Sequence, residues 1–272
     1  MMKIGVIPDS FEVPFKEAVI LARDLGAKGL QPYVTGGEMA PENLDKDARK
    51  ALLQFVRDNG LCFSALCADF GLNFKDPDNE AGVQRTMRMM ELALDFDTHI
   101  ITTHIGKVPE DENCRDYANM LKTIERLGKY GDTIGVMFAT ETGPEPAPKL
   151  KAILDRADTK SAKVNFDPAN LVMCSHDIAA DDVYVLRDYI VHTHAKDGVY
   201  TGETTYEEKI LGAGGVNYGP YLAALKDIGY DGFLTIEREA GATRFEDIRH
   251  AVNFLTDHLA KLYRAERDTL WH

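Results

Sequence analysis

Four short apolar runs in the second half of this 272-residue chain each lead into a residue able to hold a metal ion. Ile134 to Thr140 leads to Glu141, the run with Val164 and Phe166 to Asp167, YIVHTH to His194, and FLTI to Glu237. Taken alone, each carboxylate reads as a helix cap or an ion-pair partner, and His194 as a buried, satisfied histidine. Asp167 before Pro168 has the form of a helix N-cap, a role that can coexist with metal ligation. Taken together, three carboxylates and one imidazole suit a divalent cation such as Mn2+, Co2+, Mg2+ or Zn2+, with positions left for water and substrate oxygens. Three converging carboxylates without a cation would repel one another and raise one another's pKa, so one divalent metal ion is expected.

To bring those four residues together, the apolar runs must be neighbouring strands of one sheet. Strand-like runs occur at Lys3 to Ile7, Gly29 to Val34, Leu61 to Cys67, His99 to His104, Gly135 to Thr140, Ala162 to Asp167, Ile190 to His194 and Gly232 to Ile236. Helical periodicity follows them, most clearly at Val13 to Leu25, Asp45 to Asn59, Asn79 to Phe96, Arg115 to Tyr130, Pro146 to Arg156 and Arg244 to Tyr263. Eight repeats in 272 residues leave about 34 residues each, the length of a βα unit. Glycines at 26, 60 and 229 sit where a left-handed cap must turn a helix into the next strand. The fold class is therefore α/β, a (β/α)8 TIM barrel over residues 1–272 in a single domain. In such barrels catalytic groups sit at the C-terminal strand ends, where the four ligand candidates stand. Asp197 to Tyr218, rich in Gly, Thr and Glu, reads as one long loop of the kind that closes over substrate.

Thirty-one basic against 44 acidic residues give a net charge of -13 and a pI near 5.1, which argues against a nucleic-acid or anionic-membrane partner. The N-terminal MMKIGVIPDSF enters a strand-like run without a leader pattern, and no segment approaches about 18 consecutive apolar residues, so a cytoplasmic protein is expected. Cys62, Cys67, Cys114 and Cys174 form no CxxC pair and read as reduced structural thiols. The final RAERDTLWH reads as a loose tail or an interface element, and a homo-oligomer is compatible with the sequence.

The segments ETGPEP (141–146), NFDPANL (165–171), HTHAKDG (192–198), LGAGGVNY (211–218) and LTIERE (234–239) resemble the sugar phosphate isomerase/epimerase family of the xylose-isomerase-like barrel superfamily. That superfamily includes ketose 3-epimerases, inosose dehydratases and zinc-dependent abasic-site endonucleases. The resemblance implies the same ligands, Glu141, Asp167, His194 and Glu237. In its epimerase branch it implies that Glu141 and Glu237 act as the catalytic acid and base on the two faces of the carbon next to the carbonyl. A metal that polarises the carbonyl and an adjacent hydroxyl stabilises the enediolate, while a carboxylate takes the proton.

Four further positions are expected to bind or support substrate. His104 ends ITTHIG and can donate to a substrate oxygen, or simply pack at the barrel mouth. Asn170 stands where several relatives carry histidine, which leaves an amide for hydroxyl binding. Lys196 shares the strand alternation of His194 and can neutralise an oxyanion or phosphate, or form a surface pair with Asp197. His192 has the same parity and reads as support for the ligands. The stretch Gly198 to Tyr218 contains no histidine or aspartate, which disfavours a trinuclear nuclease. Glycines 212, 214 and 215 read as a turn, with a phosphate cradle as the alternative.

The expected activity is a metal-dependent isomerase or epimerase acting on a ketose or ketose phosphate. A lyase or dehydratase acting on a keto-sugar or inosose is the alternative within the fold, since the same enolate can expel a β-leaving group. A non-catalytic carbohydrate-binding subunit is the alternative outside enzymology. Which sugar is bound would depend on first-half loop residues such as Asp9, Gln31, Tyr33 and Asp69.

Overall fold

The structure, a computed structural model, describes residues 1–174, 179–202 and 205–269, with side chains as far as Arg264. The chain alternates β1 (Lys3–Val6), α1 (Phe15–Leu25), β2 (Gly29–Leu30), α2 (Lys46–Asp58), β3 (Cys62–Phe63), β4 (Leu66–Cys67), α3 (Glu80–Asp95), β5 (Ile100–Thr103) and α4 (Arg115–Ile134). It continues through β6 (Met137–Glu141), α5 (Ala147–Arg156), β7 (Ala162–Phe166), α6 (Pro168–Met173), α7 (Ala179–Val185) and β8 (Ile190–Ala195). The last elements are β9 (Asp197–Gly202), β10 (Thr205–Lys209), α8 (Tyr218–Asp227), β11 (Phe233–Ile236) and α9 (Arg244–Thr269). The parallel sheet runs β3-β2-β1-β11-β8-β7-β6-β5-β4. Because β3 and β4 are consecutive pieces of one run, the sheet curls into a nearly closed barrel wrapped in helices.

The sequence predicts unbroken second and third strands, and both are interrupted. Pro32 has no N–H to give the ladder, so the second strand shrinks to Gly29–Leu30. The third breaks at Ser64 and Ala65, and Cys67 regains the seam by donating to the Pro32 carbonyl at 2.9 Å and accepting from Val34 N at 2.9 Å. Gly135, expected in the fifth strand, instead caps α4 in the left-handed region with φ 75°.

Helix α4 shows how the outer layer is held. Tyr117, Met120, Ile124 and Leu127 recur every three to four residues and are buried. Burying each of these side chains is worth about 1.5 to 3 kcal/mol. At Gly131 a Cβ would lie 2.3 Å from the Val136 carbonyl oxygen, so only glycine lets the helix end fold back onto β6. The pleat then sorts neighbours: Asn165 is fully buried among polar groups, while Phe166 stacks on Tyr221 of α8 with centroids 5.7 Å apart.

The segment Asp197 to Tyr218 is not one irregular loop. It begins as an antiparallel hairpin of β9 and β10 and ends as a glycine-rich turn into α8. Glu203 and Thr204 of this segment, and Leu270 to His272 of the terminal RAERDTLWH, lie outside the described residues. Among the described residues no helix is long and apolar enough to cross a membrane.

Candidate active site

Glu141 closes β6, Asp167 follows β7, His194 lies near the end of β8 and Glu237 follows β11. Those four strands are consecutive neighbours in the barrel, so the four side chains converge at its C-terminal mouth. One ligand-type atom from each lies within 4.8 Å of the others, and all four residues are buried.

Among the described residues two atoms at the centre have no hydrogen-bond partner, Asp167 Oδ2 and His194 Nδ1. Asp167 Oδ1 is committed, accepting from Ala169 N at 2.7 Å and Asn170 N at 3.2 Å as the cap of α6. Capping thus uses one oxygen and leaves the other facing inward. His194 Nδ1 faces Glu237 Oε2 at 3.3 Å, Glu141 Oε1 at 3.4 Å and Asp167 Oδ2 at 3.6 Å.

Electrostatics bind the cluster together. Burial works against charge on His194, yet the Glu141 and Glu237 carboxylates outweigh it and hold the imidazolium well above its ordinary pKa. Burial likewise raises Glu141, but His194 and then His104 bring it below the usual carboxylate value. Glu237 is held low by His194 and Lys196 against its burial. For Asp167, burial wins and the pKa rises. An oxygen-rich donor set with one imidazole, two of its atoms left unpaired, fits a divalent cation.

The supporting residues are arranged differently from one another. His104 is half-exposed, with Nδ1 2.7 Å from Asp69 Oδ2 and Nε2 3.6 Å from Glu141 Oε1. The Glu141 carboxylate, and the Asp69 hydrogen bond after it, raise the His104 pKa to about 9 in spite of burial. Asn170 commits its amide nitrogen to Glu141 Oε1 at 2.7 Å and the Thr142 carbonyl at 3.2 Å, so it orients Glu141. His192 does not touch the ligand atoms directly. Its Nδ1 meets Asn165 Oδ1 at 2.9 Å, its Nε2 meets Thr235 Oγ1 at 3.1 Å, and burial, with His194 second, pulls its pKa well down.

Lys196 pairs with Glu237 at 3.0 Å and with Glu239, not with Asp197. The reason is that Asp197 is engaged elsewhere. Its carboxylate accepts from the backbone N–H groups of Gly198, Gly212, Gly214 and Val216 at 2.9 to 3.0 Å. The glycine-rich segment therefore cradles an internal carboxylate, and its donors are not presented to a phosphate. A Cβ at Gly214 would sit 2.2 Å from Asp197 Oδ1, so glycine is required by the approach of that carboxylate.

Three further residues join the site. Asn165 donates to Glu141 Oε2 at 3.2 Å, Gln31 Oε1 lies 3.1 Å from His194 Nε2, and Asp69 holds His104. Gln31 and Asp69 are among the first-half loop residues that the sequence points to, whereas Asn165 carries only the signal of standing two residues before Asp167 in strand parity. Beside Glu237 a cavity of about 240 Å3 opens between Asp9, Ser10, Tyr33, Glu239 and Arg244. It is smaller than the roughly 300 to 1,000 Å3 of drug-sized clefts and suits a small polar molecule.

Comparison with known proteins places this architecture among relatives. An uncharacterised protein of Methanocaldococcus jannaschii is 27% identical over 263 residues, covering 87% of this chain and 88% of its own. A xylose isomerase domain protein from Planctomyces limnophilus superposes with a TM-score of 0.85 at 22% identity, over 97% of this chain and 98% of that one. A D-tagatose 3-epimerase-like protein gives 0.79 at 21% identity, over 97% and 99%. The xylose isomerase-like TIM barrel family model matches residues 19–258, a span that contains the four converging residues. By fold and by that match, the chain belongs to the xylose isomerase-like TIM barrel family.

Proposed function

We propose that this protein is a divalent-metal-dependent isomerase or epimerase of a ketose or ketose phosphate. The observation that supports it most is the pair of unpartnered buried atoms, Asp167 Oδ2 and His194 Nδ1, within a ring completed by Glu141 and Glu237. Held by these four residues, a divalent ion would polarise a carbonyl and an adjacent hydroxyl and acidify the neighbouring C–H.

The chain's own groups then handle the proton. Glu237, its Oε2 paired with the Lys196 ammonium at 3.0 Å, accepts the proton from the carbon next to the carbonyl. Glu141, oriented by Asn165 and Asn170, takes a proton from the His104 imidazolium beside its Oε1 and delivers it on the opposite face. Asp69 keeps His104 directed toward that carboxylate.

Elimination of water from a keto-sugar is a second reading, favoured by the position of His104, whose Nε2 lies 3.6 Å from Glu141 Oε1 where it can hand a proton to a departing hydroxyl. Incubation with ketoses and ketose phosphates in D2O with Mn2+ separates the outcomes. Deuterium next to the carbonyl, unchanged connectivity and inverted stereochemistry mark an epimerase, whereas loss of water marks a lyase. A native protein that takes up none of Mn2+, Co2+, Mg2+ and Zn2+ would overturn both readings. The Glu237→Gln variant is expected to incorporate no deuterium.

A further inference from the structure

His194 can serve a cation only through the nitrogen that faces the carboxylates, and that is Nδ1, 3.3 to 3.6 Å from Glu237, Glu141 and Asp167. A ligating nitrogen must be unprotonated, so the ring's one remaining proton has to reside on Nε2. Two amides compete for that atom. Gln31 Oε1, 3.1 Å away, can accept a hydrogen bond from Nε2–H, whereas Asn165 Nδ2, 3.2 Å away, can only donate to it. If Asn165 prevailed, the proton would be driven to Nδ1 and the ligand lost.

The neighbours of the two amides decide between them. Gln31 stands with its oxygen toward the ring and its Nε2 donating to Thr102 Oγ1 at 2.8 Å. Asn165 already has a partner for its amide nitrogen in Glu141 Oε2, while its oxygen accepts from His192 Nδ1. Gln31 and Thr102 are both fully buried, so this orientation is held away from water. We infer that Gln31, directly after β2, is a positioning residue that fixes His194 as the Nε2–H tautomer and thereby makes Nδ1 a metal ligand. The inference rests on the proposed metal centre and adds to it a residue from the half of the chain that supplies none of the four ligands.

The test uses the full chain, stripped with a chelator and titrated with Zn2+ alone. Gln31→Met keeps the length of the side chain but removes the acceptor, and is expected to weaken Zn2+ binding roughly 10- to 100-fold. Gln31→Glu keeps an acceptor for Nε2, with the Thr102 hydroxyl able to turn and donate, and is expected to weaken binding by less than about 10-fold. Histidine 15N spectra of the Zn2+-loaded native protein, which need no variant, should show His194 bearing its proton on Nε2. A proton on Nδ1, or Gln31→Met binding Zn2+ as tightly as the native chain, would overturn the role of Gln31 while leaving the metal centre standing. Native protein that binds no Zn2+ would remove the centre itself.

Discussion

Lys196 and Glu237 form a buried ion pair, Nζ to Oε2 at 3.0 Å, with each side chain only 6% exposed. An ion pair removed from water is sensitive to the loss of either member, because the survivor keeps its desolvation cost without its partner. Lys196→Met should therefore destabilise the protein by on the order of 3 kcal/mol in urea titrations. Added Mn2+ should return part of that loss by supplying positive charge beside Glu237. A loss below about 1 kcal/mol would mean that His194 alone balances the carboxylate.

Metal should stabilise the native chain against heat. An ion that binds only the folded state contributes about 2.7 kcal/mol at a concentration one hundredfold above its Kd. Asp167→Asn preserves an oxygen to cap α6 but weakens the inward ligand, so it should fold and lose the Mn2+ response. An equal rise in Tm for both proteins would place the ion elsewhere.

The clamp around Asp197 gives a third expectation. Replacing its carboxylate with an amide turns an NH2 toward backbone N–H groups, and Asp197→Asn should cost about 2 to 3 kcal/mol. Hydrogen exchange should speed up at Gly212, Gly214 and Val216, whose N–H groups donate to the carboxylate. Unchanged protection at these amides would show that the turn holds without it.

Glu145 should make stability pH-dependent. It is 2% exposed, its Oε2 accepts from Val108 N at 3.3 Å, and burial pushes its pKa from 4.5 up to about 7. The folded state holds this proton more tightly than the unfolded chain, so the stabilising contribution is complete below pH 4.5 and lost as pH rises to about 7. Glu145→Gln keeps the acceptor and removes the titration. Its stability relative to native should climb between those pH values and level off above them, and a difference independent of pH would contradict the assignment.

The barrel is legible in the sequence because apolar runs and helical periodicity alternate with glycine caps, and the converging residues are legible because each directly follows a run. Local backbone chemistry is less so. Pro32 interrupts the second strand although the residues around it read as extended. The hairpin reads as a polar loop because its outer residues, Tyr200 and Tyr206 among them, are exposed and show no apolar alternation. Lys196 and Asp197 are adjacent opposite charges and invite pairing, but backbone N–H groups of the glycine-rich turn hold the Asp197 carboxylate instead. Gln31 occupies the strand-end position in which Glu141 is recognised, yet an amide announces no chemistry until the histidine it faces is known.

The Asp197 clamp also bears on how this barrel can diversify. By closing the neck of the hairpin directly after β8, it fixes where the chain leaves the barrel and where it returns to α8. The outer part of β9 and β10, where Tyr200 and Tyr206 are exposed, can then change without moving His194. Segments of other length or composition can be grafted there, and the rim can acquire new contacts for larger molecules while the groups beneath keep their spacing.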